Sequence, residues 1–346
     1  MESSSSARRI RAIEPLRSHI PVSTSDVAAQ SKVPLNDRSP PRIDPARSAV
    51  IMDVMEASEH SVRPSGDGAP VEVLSPCAAP SGFVFASPHS GDRYPSEFLA
   101  RSVLPVRLLR RSEDAFVDAL YADAPMFGAA LVRARFPRAF VDPNRAATEL
   151  DPAMFTGGPP AGAWAPSSRA AAGLGVIPRL AADGRAIYAG KIDYAEARAR
   201  LKAFYAPYHA ALGREIERAR DAFGSAVVID CHSMPSASAR GSDVVLGDRF
   251  GASCARGLVA AAEAAFRDAG FAVARNRPYA GGYTTEHYGR PQAGVHVLQV
   301  EINRGLYMNE GRVEPHGGFE RLRAALSGWM SAMTAGGGRS ELQAAE

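Results

Sequence analysis

The run Ala226-Val227-Val228-Ile229 is apolar at every position and stops abruptly at Asp230-Cys231-His232-Ser233. A strand with one wet face alternates apolar and polar residues. A strand without alternation has to be covered on both faces, as in a parallel sheet flanked by helices. That constraint selects a layered α/β architecture, and the rest of the chain supplies matching parts. Gly82-Phe83-Val84-Phe85-Ala86-Ser87 is a second such run. Ala129 to Ala134 and Ala139 to Asp142 read as strands parted by the Phe136-Pro137-Arg138 turn, with further strands at Phe271 to Ala274 and Val295 to Ile302. Between them lie helical patterns. From Tyr194 to Phe223 the residues Ala197, Leu201, Phe204, Tyr208, Leu212 and Ile216 recur every three or four positions behind the capping residue Asp193, and Pro207 is expected to kink the helix. Ser112 is expected to cap a short helix carrying Glu113 and Asp114 in its first turn, and helices are predicted at Ser253 to Ala269 and Phe319 to Met333. Strands alternating with helices define a layered α/β sheet.

The first 75 residues are rich in Ser, Pro, Arg and Asp without sustained periodicity, and predict a disordered or loosely attached tail. The folded domain is expected over 76–335. Gly336-Gly337-Gly338 then ends the last helix and leaves a flexible tail, 336–346. Residues 1–50 hold eight basic against five acidic side chains, which accounts for the whole net charge of +3. A formally neutral body argues against a nucleic-acid partner, and no apolar stretch long enough for a membrane span is present. Cys77, Cys231 and Cys254 are too few and too widely spaced for a disulfide framework, which fits a reducing cytoplasm. Residues 146–190, rich in Gly, Pro and Ala, form a long excursion of the kind that often serves as a lid or substrate loop.

Four strand ends carry chemistry: Ser87-Pro88-His89-Ser90-Gly91, Val141-Asp142-Pro143-Asn144-Arg145, Asp230-Cys231-His232-Ser233 and Glu301-Ile302-Asn303-Arg304. Open α/β sheets place ligands just beyond the carboxyl ends of their strands. Two histidines there suit a catalytic metal, since zinc takes two imidazoles and a carboxylate and keeps a position for water. Spacing leaves both Asp92 and Asp114 open as the third ligand, with Asp230 available to orient His232. An apolar strand has little structural use for Glu301 at its inner end; the bland role is a salt bridge to Arg304, the chemical one a proton acceptor beside a metal. Asn144 and Arg145 suit a clamp for a carboxylate, although Arg145 would also neutralise Asp142. Cys231 next to His232 suggests a cysteine nucleophile, but adjacent residues on a strand point to opposite faces.

The ordered set P-H-S-G, S-E-D, V-D-P-N-R, P-Y-H, D-C-H-S, G-G-Y-T-T-E-H-Y-G and E-I-N-R-G-L-Y-M, over about residues 80 to 312, resembles the N-formylglutamate amidohydrolase (deformylase) family. That family is related in fold to zinc carboxypeptidases and aspartoacylases. The resemblance implies a single three-layer α/β/α sandwich around a mixed, mostly parallel sheet, of the zinc-exopeptidase type. It also implies a zinc-dependent hydrolase of N-formyl-L-glutamate or a similar small acidic N-acyl amino acid, active in amino-acid metabolism such as histidine degradation. Carried over residue by residue, His89, Asp114 and His232 would hold one divalent metal, Zn2+, and Glu301 would be the catalytic carboxylate. Asn144 and Arg145 would bind substrate, and His287, after the Gly281-Gly282 turn, would contact substrate or the oxyanion. His209 falls in the P-Y-H motif, either in the site or as a buried hydrogen-bonding residue. The alternatives are an aspartoacylase- or carboxypeptidase-like hydrolase of another acidic substrate, and a non-catalytic binder of acidic ligands on the same fold.

Overall fold

The computed structural model describes residues 68–165 and 167–336. Nearly all of the expected N-terminal tail and the last ten residues lie outside the described residues. Seven strands form one sheet: β1 (Val71–Leu74), β2 (Phe83–Ser87), β3 (Ala130–Ala134), β4 (Ala226–Met234), β5 (Val244–Gly247), β6 (Val273–Arg275) and β7 (Val295–Asn303). Their spatial order is β1-β3-β2-β4-β7-β5-β6. The central β3, β2, β4 and β7 are mutually parallel, β1 joins β3 antiparallel, and β5 joins β7 antiparallel. The sheet is therefore mixed and mostly parallel, as expected.

Its two faces bury separate cores, which makes three layers. Val84, Ala86, Val132 and Val228 point to one side, against Leu201, Phe204, Tyr208 and Leu212 of the long helical stretch. Phe83, Phe85, Leu131, Val227 and Ile229 point to the other, against the helices Arg256–Asp268 and Phe319–Gly336. The period of two that sends alternate residues to opposite faces is satisfied by apolar residues on both sides, hence the unbroken runs.

The long helical stretch enters as α1 (Tyr194–Arg200), capped by Asp193, whose carboxylate accepts from Ala195 N. It passes through one wide π turn, Leu201–Tyr205, and continues as α2 (Ala206–Phe223). Pro207 sits in the first turn of α2, where its missing N–H falls beside the widened turn.

Three expectations are corrected. The folded body starts before residue 76, because β1 pairs with β3 with Glu72 opposite Arg133, and the two side chains form a 3.0 Å ion pair. Four residues with a charge among them were too short to show a period. Ala139 to Asp142 is a turn, with Phe140 N and Val141 N both donating to Pro137 O. It is apolar because Phe140 packs against Phe98 and Phe204 and beneath the Arg200 guanidinium. Ser112 caps no helix: it ends a short 3-10 turn and Glu113 is extended. Its Oγ accepts instead from Ala182 N of the excursion.

Candidate active site and metal centre

Pairing in the sheet puts the first two groups side by side. The β4/β7 register sets His232 opposite Glu301 and Asp230 opposite Gln299. Neighbouring strands lie about 4.8 Å apart, so these side chains share one face at the strands' carboxyl ends. On β4, Asp230 and His232 point one way and Cys231 the other, into the opposite core. Burial pushes the Cys231 thiol well above its ordinary value, and the expected argument against a cysteine nucleophile holds in three dimensions.

His89 follows the end of β2, and its carbonyl accepts from Asp114 N, which draws the Ser112–Asp114 turn against the strand end. Asp114 Oδ2 then lies 3.2 Å from His89 Nδ1 and 2.9 Å from His232 Nδ1. All three residues are buried, with ligand atoms within 4.8 Å of one another. The far nitrogens are engaged: His89 Nε2 lies 2.7 Å from Asp142 Oδ1 and His232 Nε2 3.0 Å from Asp230 Oδ2. Each ring thus lies between two carboxylates, and a cation on the Nδ1 side would leave the ring protons on Nε2, where Asp142 and Asp230 accept them. His89 Nδ1, Asp114 Oδ2 and His232 Nδ1 converge on one point that a cation could occupy. The electrostatics favour positive charge here. Burial alone would lower the His232 pKa, yet the charge of Asp230 and the hydrogen bonds that Asp114 and Asp230 accept from the ring lift it well above the ordinary value. Burial would likewise raise Asp142, but Arg138 and His89 hold it well below the carboxylate range. Asp92, the rival third ligand, is exposed and faces Arg135 at 3.3 Å.

Glu301 is buried, accepts from Gln299 Nε2 at 2.9 Å, and burial lifts its carboxyl to about 7 against the pull of His232. It makes no salt bridge to Arg304. Arg304 donates to Asp114 Oδ1 at 2.8 Å and to Ser233 Oγ at 3.1 Å, fixing the free edge of the Asp114 carboxylate. These groups line one cavity of about 420 Å³, together with Arg138, Arg145, Arg169 and the loop Pro278 to Gly281.

Arg145 is held by Asn144 O and Leu174 O, at 3.0 and 3.2 Å. Its contact with Asp142 is long, 4.0 Å. Asn144 lines the cavity, but both ends of its amide are committed to protein. Nδ2 lies 3.0 Å from His232 Nε2 and donates to Asp230 Oδ2 at 3.3 Å, and Oδ1 accepts from Thr284 N at 2.7 Å and Thr284 Oγ1 at 3.0 Å. It pins the turn above the site to the end of β4. A Cβ at Gly282 would meet the Asn144 side chain at 2.6 Å, which is why the turn is glycine there. His287 is the residue the structure does not bring in. It is exposed, outside the cavity lining, and stacks on Tyr283 one helical turn earlier. His209 lies outside the cavity too. Its Nε2–H donates to Pro143 O and its Nδ1 accepts from Tyr288 Oη.

Sequence reasoning did not assign Asp142 to His89, nor Arg138, Gln299 and Arg304 to the site. One signal was present: two of the four motifs carry an aspartate, Asp142 and Asp230, and two carry a histidine, so that there was one carboxylate for each ring.

Residues 81–308 match the family model described as N-formylglutamate amidohydrolase. An N-formylglutamate deformylase of Pseudomonas aeruginosa is 32% identical over 247 residues, covering 69% of this chain and 86% of the relative. Another from Pseudomonas putida is 29% identical over 235 residues, covering 66% and 82%. Among solved structures, an N-formylglutamate amidohydrolase from Ralstonia eutropha superposes with a TM-score of 0.74 at 37% identity, over 78% of this chain and 98% of that one. A gene product of Agrobacterium tumefaciens shares the fold, with a TM-score of 0.56 at 22% identity over 78% and 95%.

Proposed function

The chain belongs to the N-formylglutamate amidohydrolase family, and from that premise we propose that it hydrolyses the formamide bond of N-formyl-L-glutamate, releasing formate and L-glutamate. The observation that carries this reading is the convergence of His89 Nδ1, Asp114 Oδ2 and His232 Nδ1 beside Glu301 in one cavity that arginines also line. His89, Asp114 and His232 would hold one divalent cation, and two imidazoles with one carboxylate form a donor set typical of catalytic zinc. Bound there, the cation supplies a Lewis acid that acidifies a water molecule and polarises the formyl oxygen.

The remaining work falls to the chain's own side chains. Asp142 and Asp230 keep the imidazole protons on the far nitrogens, so both rings present lone pairs to the site. Glu301 Oε accepts the proton of the attacking water and delivers it to the departing nitrogen. A carboxyl near 7 exchanges protons readily at neutral pH. Gln299 fixes Glu301 for that transfer, and its own Oε1 accepts from Gly282 N, which ties the proton acceptor to the turn above the cavity. Arg145 binds a substrate carboxylate and sets the amide in line with Glu301. Asn144 contributes by holding the turn rather than by touching substrate.

No helix among the described residues is long and apolar enough to cross a membrane. The three cysteines are free thiols, which supports assignment to a reducing cytoplasm. The test is formate release from N-formyl-L-glutamate with metal analysis of the same sample. About one zinc per chain, loss of activity on chelation and return of activity on adding zinc are expected. Full turnover by metal-free protein, or no formate at all, would overturn the reading.

A further inference from the structure

Four arginines line the cavity, and three of them are already engaged. Arg138 pairs with Asp142, Arg145 with two backbone carbonyls, and Arg304 with Asp114 and Ser233. Arg169 is different. Its side chain is exposed, it borders the same cavity, and among the described residues its guanidinium makes no hydrogen bond or ion pair.

The element that carries it is anchored. Arg169 sits on the single helical turn Ser168–Ala171, capped by Ser167, whose Oγ accepts from Ala170 N and donates to Glu149 Oε2. Glu149 Oε1 accepts in turn from Ala146 N, next to Arg145. Leu174 closes the link, its N–H donating to Arg169 O and its carbonyl holding Arg145 Nε. One folded turn of the excursion therefore positions both arginines. They are close enough to feel each other: burial lowers the Arg145 pKa most, and Arg169 is among the cations that lower it further. Two neighbouring cations with one free guanidinium suit a ligand with two carboxylates.

We propose that Arg169 is a specificity residue that binds the side-chain carboxylate of the substrate, while Arg145 binds its α-carboxylate. This deepens the deformylase reading and rests on it. The assignment follows from reach. Arg145 is buried and adjoins Asn144, whose amide touches Asp230 beside His232. The α-carboxylate lies near the scissile nitrogen, so it belongs to this inner arginine. The side-chain carboxylate lies about two bonds farther out along a flexible chain and belongs to the exposed one. The acyl group is left to the metal end of the cavity, so the excursion selects the amino acid and the strand ends perform the hydrolysis.

The experiment compares wild type, Arg169→Gln and Arg169→Lys on N-formyl-L-glutamate and on its neutral isostere N-formyl-L-glutamine. Losing a charged hydrogen bond predicts a roughly 10- to 100-fold fall in kcat/KM for the glutamate substrate in R169Q, mostly through KM. The glutamine substrate should change by less than about 3-fold, R169K should recover part of the loss, and zinc content should stay the same. Arg145→Gln should weaken both substrates. Equal losses on both substrates in R169Q, or none, would overturn the assignment. Titrating the same proteins with L-glutamate and L-glutamine by calorimetry separates the two readings. A wild type that releases no formate removes the deformylase activity, whereas glutamate selectivity that survives R169Q removes the role of Arg169.

Discussion

At the residue scale, burial decides the chemistry of Glu301. Its carboxyl is lifted to about 7 by loss of water and is kept from rising further by His232. It must be ionised to accept a proton, so activity is expected to fall as pH drops below neutrality. A bound divalent cation, which favours the ionised form, would set the inflection at or below 7. A kcat/KM profile that rises with acidity would contradict the assignment. Glu301→Gln should reduce kcat by at least about 10²-fold, the low end of general acid–base contributions, while zinc content stays unchanged. Asp142→Asn tests the orienting role separately. Loss of a carboxylate behind a ligating imidazole should weaken zinc binding by roughly 10- to 100-fold, read by competition with a chromophoric chelator. His89, His232, Glu301 and Arg145 stand out in the sequence because each lies at or just past the end of an apolar run. Asp142 was legible as a residue but not in its role, because its partner His89 is 53 positions away and only the folded turn joins them. His287 misled because a glycine pair promises a loop over the substrate, whereas the turn feeds a short helix that carries the ring outward.

At the element scale, the helical stretch from Tyr194 to Phe223 does more than cover the sheet. Its π turn brings Tyr205 and His209 onto the Pro143–Arg145 segment: Tyr205 Oη donates to Arg145 O and His209 Nε2 to Pro143 O, both at 3.0 Å. Two carbonyls, of Pro143 and of Arg145 itself, are thereby fixed from outside the cavity. His209→Ala is expected to cost about 1–2 kcal/mol of stability at pH 7, the order of a lost enclosed hydrogen bond, and to raise KM more than it lowers kcat. Burial depresses the His209 pKa from 6.5 to about 3, with the charge of His287 adding to the effect. In the unfolded chain the imidazole takes a proton below about 6.5, while in the native protein it stays neutral down to about 3. The stability it contributes is therefore present above 6.5 and is lost as pH falls through that window. Urea unfolding at pH 7 and pH 5 should show a smaller pH dependence for the variant than for wild type. The apolar spacing revealed this helix, and Pro207 marked the place of its irregularity. The widened turn itself follows from packing against a loop that lies far away in sequence.

At the scale of the whole molecule, the central strands were readable because burial on both faces removes alternation. The edges were not readable. β1 is short and carries Glu72, and β5 draws its partners from β7 and β6 rather than from its own pattern. A chain starting at residue 76 should be less stable than one starting at residue 68, by about 2 kcal/mol for the partly buried Val71, Val73 and Leu74. It should also aggregate more readily, since β3 would become an uncovered edge. Differential scanning calorimetry of the two proteins decides this, and equal Tm values would show that β1 is dispensable.

The three proposed ligands also impose an order of events. Asp114 and His232 are 118 positions apart, and His89 reaches them only when β2 and β4 pair with Ala86 opposite Asp230. A nascent chain that has emerged only through Asp114 offers His89 and Asp114 alone of the three proposed ligands. Loading of a cation there would therefore follow synthesis through His232 and closure of the sheet.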